Sequence, residues 1–262
     1  EAGSDGNTIA GNYIGQLNSS GTAGTHTVAL SGIYVAGANN NLGGLTAADR
    51  NVIAVTAASG SNMVYVNGSA ATGNIIRGNY IGTDATGTTK IANGSGITGV
   101  AVIGGAANTV IGGPGANDFN VITASDSSAA AVYVQTAGSG TVVQGNRLGV
   151  TAAGTQLGGA SSAVTAATGA VSILNNWMSA ATGFNILLTA GGSTVQGNRI
   201  GTDMAGTANW GSSSLSIYVA SSNNLIGGTG AGEGNVVAFS NNDAIQIASG
   251  TGNALLGNLI YG

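Results

Sequence analysis

Hydrophobic residues along this chain come in short bursts, and in most of them apolar positions alternate with polar or aromatic ones. Ile33-Tyr34-Val35, Val64-Tyr65-Val66, Val100-Ala101-Val102, Val132-Tyr133-Val134, Ile186-Leu187-Leu188, Ile217-Tyr218-Val219 and Ile245-Gln246-Ile247 are of this kind. They are rich in β-branched residues and bounded by Gly, Ser, Thr and Asn, so each predicts a short strand. None is long enough for a helix, and glycine every few residues would destabilise one by about 1 kcal/mol per position.

The bursts are phased by a repeat. Gly11-Asn12-Tyr13-Ile14-Gly15 returns as Gly78-Asn79-Tyr80-Ile81-Gly82, Gly145-Asn146-Arg147-Leu148-Gly149, Gly197-Asn198-Arg199-Ile200-Gly201 and Gly257-Asn258-Leu259-Ile260. Between these copies stand Asn51-Val52-Ile53, Asn120-Val121-Ile122 and Asn235-Val236-Val237, and Asn176-Trp177-Met178 takes the remaining slot. The asparagines at 12, 51, 79, 120, 146, 176, 198, 235 and 258 therefore mark eight steps of about 31 residues. A third marker, Leu42-Gly43-Gly44, Ile111-Gly112-Gly113 and Ile226-Gly227-Gly228, comes in alternate steps.

A unit of this size with about three strands cannot bury a core alone, but stacked copies can. The expected fold is all-β: residues 1–262 form one solenoid domain of about eight coils, successive coils pairing in parallel at about 4.8 Å. The pattern resembles the right-handed parallel β-helix, the pectate-lyase-like solenoid. The strings at 78–88 (GNYIGTDATGT) and 108–122 (NTVIGGPGANDFNVI) are similar to the parallel β-helix repeats of large bacterial secreted and surface-attached proteins. The nine asparagines, Asn12, Asn51, Asn79, Asn120, Asn146, Asn176, Asn198, Asn235 and Asn258, are read as an internal ladder. Their side-chain amides stack from coil to coil, and a preceding glycine serves the tight corner.

Composition narrows the function. Glycine takes 48 positions, cysteine none, and charged residues make up 5 %. Five basic residues and a net charge of −4 cannot neutralise a phosphate backbone, so nucleic acid is not an expected partner. No apolar stretch approaches the ~20 residues of a membrane-spanning helix. Without cysteine there are no disulfides, thiolate catalysis or Cys-ligated zinc. No leader segment is visible, and Glu1 reads either as a processed N-terminus or as a cut end.

Enzymes that this fold resembles cluster charge on one face. Polygalacturonase-type hydrolases use several aspartates; pectate lyases use an acidic calcium site and an arginine base. Here Asp49, Asp118 and Glu233 each precede a ladder asparagine by two residues, which places them at equivalent corners of alternate coils. Two coils are roughly 10 Å, just beyond the ~5–9.5 Å that paired glycosidase carboxylates need. Asp84 and Asp203 lie shortly before glycine in similar loops and read as turn residues; calcium there has no support from the ligand pattern. His26 stands alone, Arg147 and Arg199 share one repeat position with Tyr13 and Tyr80, and Trp177 and Trp210 show no common spacing. Trp177, where valine usually stands, is expected in or near the core. No Thr-X-Thr column recurs at the coil period to form an ice-matching plane.

No catalytic residue, cofactor or metal is expected. The repeat runs almost to both termini without an evident cap, and Gly6-Asn7-Thr8-Ile9 matches Gly252-Asn253-Ala254-Leu255. The expected protein is thus a non-enzymatic structural solenoid of the cell exterior or surface. It either stacks end to end into a filament or forms an adhesin stalk, with a carbohydrate or cell-surface partner in the second case. The alternative is a polysaccharide-binding or polysaccharide-cleaving β-helix.

Overall fold

Alternating side chains need a wall on each side of the strand, and the chain supplies one side from its own repeats. The computed structural model describes residues 4–24, 30–55, 60–91, 94–135, 138–179, 182–211 and 214–262. Within them the short strands assemble into three parallel sheets, each visited once per coil. The first sheet begins with Thr8–Ile9 and ends with Ala254–Leu256, nine strands in all; the second runs from Tyr13–Gly15 to Leu259–Tyr261, also nine. The third holds eight strands, from Ile33–Val35 to Ile245–Ser249. Every strand pairs with the equivalent strand one coil away, so the fold is a right-handed parallel β-helix, the hand that parallel crossovers take. All the expected strands of the third sheet are present. Ser162–Thr168, which the burst pattern did not single out, adds another in register with Val132 and Ile186.

The interior is a stack of aliphatic columns. In the first sheet Leu42, Ile76, Ile111, Val143, Ile173, Val195 and Ile226 point inward, each nearly or fully buried. Ile53, Ile81, Ile122, Leu148, Met178, Ile200 and Val237 do the same in the second sheet. Such a column buries each side chain against the one above and the one below, worth about 1.5–3 kcal/mol per residue.

The asparagine ladder turns the corner between the first and second sheets. Each rung donates its backbone N–H and its Nδ2–H to Oδ1 of the next asparagine, at 2.8–3.2 Å, without a break from Asn12 to Asn258. From Asn51 on, Nδ2 also donates to the carbonyl of the inward first-sheet residue one coil back, Ile9 for Asn51 and Ile111 for Asn146. The rungs themselves avoid the left-handed region. It is the residue before that takes it: Gly11, Gly78, Gly145, Asn175, Gly197 and Gly257 have φ of 54–73°. A second ladder, unmarked by the repeat string, guards the corner into the first sheet. Asn7, Asn40 and Asn74 are linked in series at one end, and Ser193, Asn224 and Asn253 at the other. Between them Thr109 and Thr141 are buried with unpaired hydroxyls and Val171 has no polar side chain, so the series is interrupted.

Step lengths along the main ladder are 39, 28, 41, 26, 30, 22, 37 and 23 residues. Long steps carry two loops, a hairpin after the second sheet and an arch before its next strand; short steps carry neither. The step from Asn146 to Asn176 keeps its hairpin and lacks the arch. This one irregularity shapes the surface of the second sheet.

Candidate functional site

The acidic residues, the first candidates for chemistry, hold turns. In each arch the carboxylate accepts from the loop residue three before it: Asp49 from the N–H (3.1 Å) and hydroxyl (2.8 Å) of Thr46, Asp118 from Gly115 N–H (2.8 Å), Glu233 from Gly230 N–H (2.7 Å). The Thr46 hydroxyl and N–H hold Asp49 below the usual carboxylate range. Asp118 also faces Arg77 at 3.7 Å, the sole ion pair among the described residues. The three sit at equivalent corners of alternate coils, as their spacing predicts, and each is engaged by its own loop.

The hairpins share a second device. Asn18, Asp84, Thr151 and Asp203 stand at one position, and a side-chain oxygen of each accepts from the backbone N–H four residues on, at Thr22, Thr88, Thr155 and Thr207. Amide, carboxylate and hydroxyl do this work interchangeably, which identifies turn formation as the common requirement. Burial raises the Asp84 pKa, but hydrogen bonds from the Thr86 hydroxyl and the N–H groups of Thr89 and Thr88 outweigh it and leave a net lowering; the N–H groups of Ala208 and Thr207 lower that of Asp203. Among the described residues, no three His, Asp or Glu come together as a metal site would need. His26 lies outside them.

Outward positions of the second sheet are where the sequence reading needs correcting. Arg147 and Arg199 are indeed two coils apart with Trp177 between them, in direct register. Each arginine is half-buried and donates from Nη1 to the carbonyl four residues on, Thr151 (3.1 Å) and Asp203 (3.1 Å), clamping its hairpin. Trp177 is not a core residue: Met178 beside it points inward, so Trp177 faces out. It stacks on Trp210, ring centroids 5.6 Å apart and 22° from coplanar, and donates from Nε1 to the Thr202 carbonyl at 2.7 Å. Residues 33 apart in sequence thus form one platform, which no spacing rule could reveal. Phe119, overlooked in the sequence, lies over the Arg147 guanidinium at 4.3 Å.

The third sheet carries a different surface. Its outward column reads Tyr34, Tyr65, Ala101, Tyr133, Thr165, Leu187, Tyr218 and Gln246. Tyr34 and Tyr65 meet edge to face at 5.3 Å, and Phe184 packs on Tyr218 at 5.0 Å. Where small Ala101 separates Tyr65 from Tyr133, a shallow trough of about 470 Å³ opens, walled also by Thr98, Thr165 and Leu187. No carboxylate is among the described residues that line it, although Asp126 at its edge accepts from Gly96 and Ser128.

The two axial faces complete the inventory. Inward residues of the last layer, Ile247, Leu255 and Ile260, are 44 %, 41 % and 49 % exposed, although Val219, Ile226 and Val237 directly beneath them are fully buried. The ladders are also polar along the axis: among the described residues no donor reaches Oδ1 of Asn12 or Asn7 at one face, and no acceptor meets the backbone N–H of Asn258 or Asn253 at the other. No protein-family model and no curated protein sequence matches the chain.

Proposed function

We propose that the chain is a non-enzymatic structural solenoid of the cell exterior whose coils continue from one molecule into the next. The complementarity of its axial faces carries this reading. One face presents asparagine acceptors, the other backbone donors and a layer of exposed aliphatic side chains, so a second copy stacked head to tail extends both ladders and buries Leu255 and Ile260. Such a contact is heterologous, and unless it closes a ring it generates a fibre. A side surface of small neutral residues adds little charge repulsion. The arch and hairpin carboxylates Asp49, Asp118, Glu233, Asp84 and Asp203 are engaged in turn formation, which supports a scaffold over an enzyme. Negative-stain electron microscopy of the purified chain across concentration tests the proposal. Rods that lengthen with concentration are expected, and particles fixed at one molecule's length would overturn it.

A second reading has its own observation, the tyrosine-lined trough on the third sheet. Aromatic rings spaced along a rod suit an extended polysaccharide, and the carboxylate at the trough's edge, Asp126, is engaged by Ser95, Gly96 and Ser128, which supports binding over cleavage. Affinity electrophoresis in gels cast with neutral and acidic glycans tests it. Retardation that disappears in Tyr65→Ala and Tyr133→Ala would support an adhesin role; equal mobility in every gel would remove it.

A further inference from the structure

The arch missing before Trp177 leaves a gap in an otherwise regular wall. Arches stand over the second sheet before Val52, Val121 and Val236, within ladder steps of 39, 41 and 37 residues; the step of 30 that ends at Asn176 has none. In the gap lies an open hollow of about 420 Å³, lined among others by Pro114, Phe119, Arg147, Asn175, Trp177 and Met204. Met204 is 65 % exposed on its rim.

Arg147 is the one charged group among the described residues that line the hollow; Asp118, behind Gly115, is buried and faces Arg77. The Arg147 guanidinium lies 4.3 Å from the Phe119 ring and 5.9 Å from Trp177, so aromatic rings flank the planar group. Nη1 is held by the carbonyls of Thr151 and Ala152. Nε and Nη2 have no acceptor among the described residues, and no carboxylate pairs with this arginine. A half-buried charge without a counter-ion is costly, and an arginine held by stacking is preorganised for two in-plane hydrogen bonds to a carboxylate.

We propose that this hollow binds a small organic carboxylate with an apolar body. The carboxylate meets the free Nε–Nη2 edge of Arg147, and the apolar part lies against Phe119, Pro114 and Met204. A hollow of about 410 Å³ also lies between the regular arches and is lined by Arg50, but there Nε already donates to the Gly78 carbonyl at 3.2 Å, whereas the Arg147 hollow keeps its Nε–Nη2 edge without an acceptor among the described residues.

The test uses the chain's own reporters. Trp177 and Trp210 are its only tryptophans, and they are stacked beside the hollow. Titration with benzoate at constant ionic strength should change tryptophan fluorescence saturably. Benzamide, equal in shape and uncharged, should bind at least about tenfold more weakly, the loss expected for hydrogen bonds to a charged group. Arg147→Gln should abolish the response and Arg147→Lys restore it in part. Lys90→Gln, which removes a cation outside the lining of the hollow, should leave it unchanged. Circular dichroism melts establish that the variants fold, as expected at Arg147 for a column that elsewhere accepts tyrosine, valine and tryptophan. A response that does not saturate, equal affinity for benzamide or for inorganic phosphate, or equal loss in Lys90→Gln would overturn the proposal.

Discussion

Asn146 directs two protons at a single atom: its backbone N–H and its Nδ2–H both donate to Oδ1 of Asn176, at 2.9 and 3.1 Å. Its own Oδ1 receives the same pair from Asn120, at 3.1 and 2.9 Å. Nδ2 also donates to the carbonyls of Ile111 and Gln144. All of this happens at zero exposure, so every group is satisfied by protein alone.

Asn146→Leu, nearly equal in volume, therefore strands both donors of Asn120 and uncovers the carbonyl of Ile111. The expected loss is on the order of 4 kcal/mol, read from denaturant midpoints. Asn12→Leu, at the exposed end of the ladder, removes one rung with no donor above it and should cost about 1 kcal/mol. Equal small losses at both sites would show that the ladder contributes little to holding the coils.

Glycine sorts by position in the same quantitative way. Gly112 has φ of 86°, and a Cβ there would collide with the Gln144 carbonyl and meet Asn146 Oδ1 at 2.6 Å. Gly60 has nearly the same φ, 87°, and open space around it. Gly112→Ala should cost about 3 kcal/mol or more, since strain adds to collision with backbone and ladder. Gly60→Ala should show only the left-handed penalty of about 1–2 kcal/mol. Thermal melts of the two variants separate conformational strain from lost space.

Both results bear on what the sequence could disclose. Repetition made the ladder, the three strands per coil and the parallel stacking legible, because each depends on residues recurring at one phase. Even the missing arch had a signal. The Gly-Gly marker of Gly43, Gly112 and Gly227 opens each arch with φ of 83–86°, and Leu174-Asn175 stands where a fourth would come. What stayed hidden depends on contacts between different phases. Trp177 meets Trp210, and Phe119 covers Arg147, only because a hairpin and an arch fold over neighbouring coils. The second ladder escaped notice for another reason: threonine, valine and serine replace asparagine in its middle, so no string recurs.

Acid should weaken the rod in a defined window. Asp126 ties two coils together, accepting from Ser95 Oγ (2.8 Å) and Gly96 N–H (3.2 Å) in one and from Ser128 in the next. The Ser128 hydroxyl, then its N–H, hold this carboxyl far below the usual range, and Asp49, Asp84 and Asp203 are lowered as well. A pKa depressed on folding means that the unfolded chain binds protons first. The stabilisation is complete above the unfolded value of about 4 and is lost as pH falls through the lower folded values. Melting temperature should stay level from neutrality to about pH 5 and fall steadily below pH 4. In Asp126→Asn the fall should be shallower; an unchanged acid slope would remove Asp126 from the account.

Head-to-tail stacking makes a covalent prediction that the native composition leaves clean, since the chain has no cysteine. Tyr13 and Leu259 occupy the same outward column of the second sheet, one on its first strand and the other on its last. Within the molecule they are eight layers apart. Across a stacked junction they become register partners at the ~4.8 Å strand spacing, inside the Cα separation a disulfide accepts. The double variant Tyr13→Cys, Leu259→Cys, oxidised mildly and run without reductant, should give a ladder of covalent multimers that collapses on reduction. Each single variant should yield monomer and at most a minor dimer, because its partner position is tyrosine or leucine. If the double variant gave only what the singles give, at concentrations where rods are seen, the axial contact would not be the one in which coil follows coil.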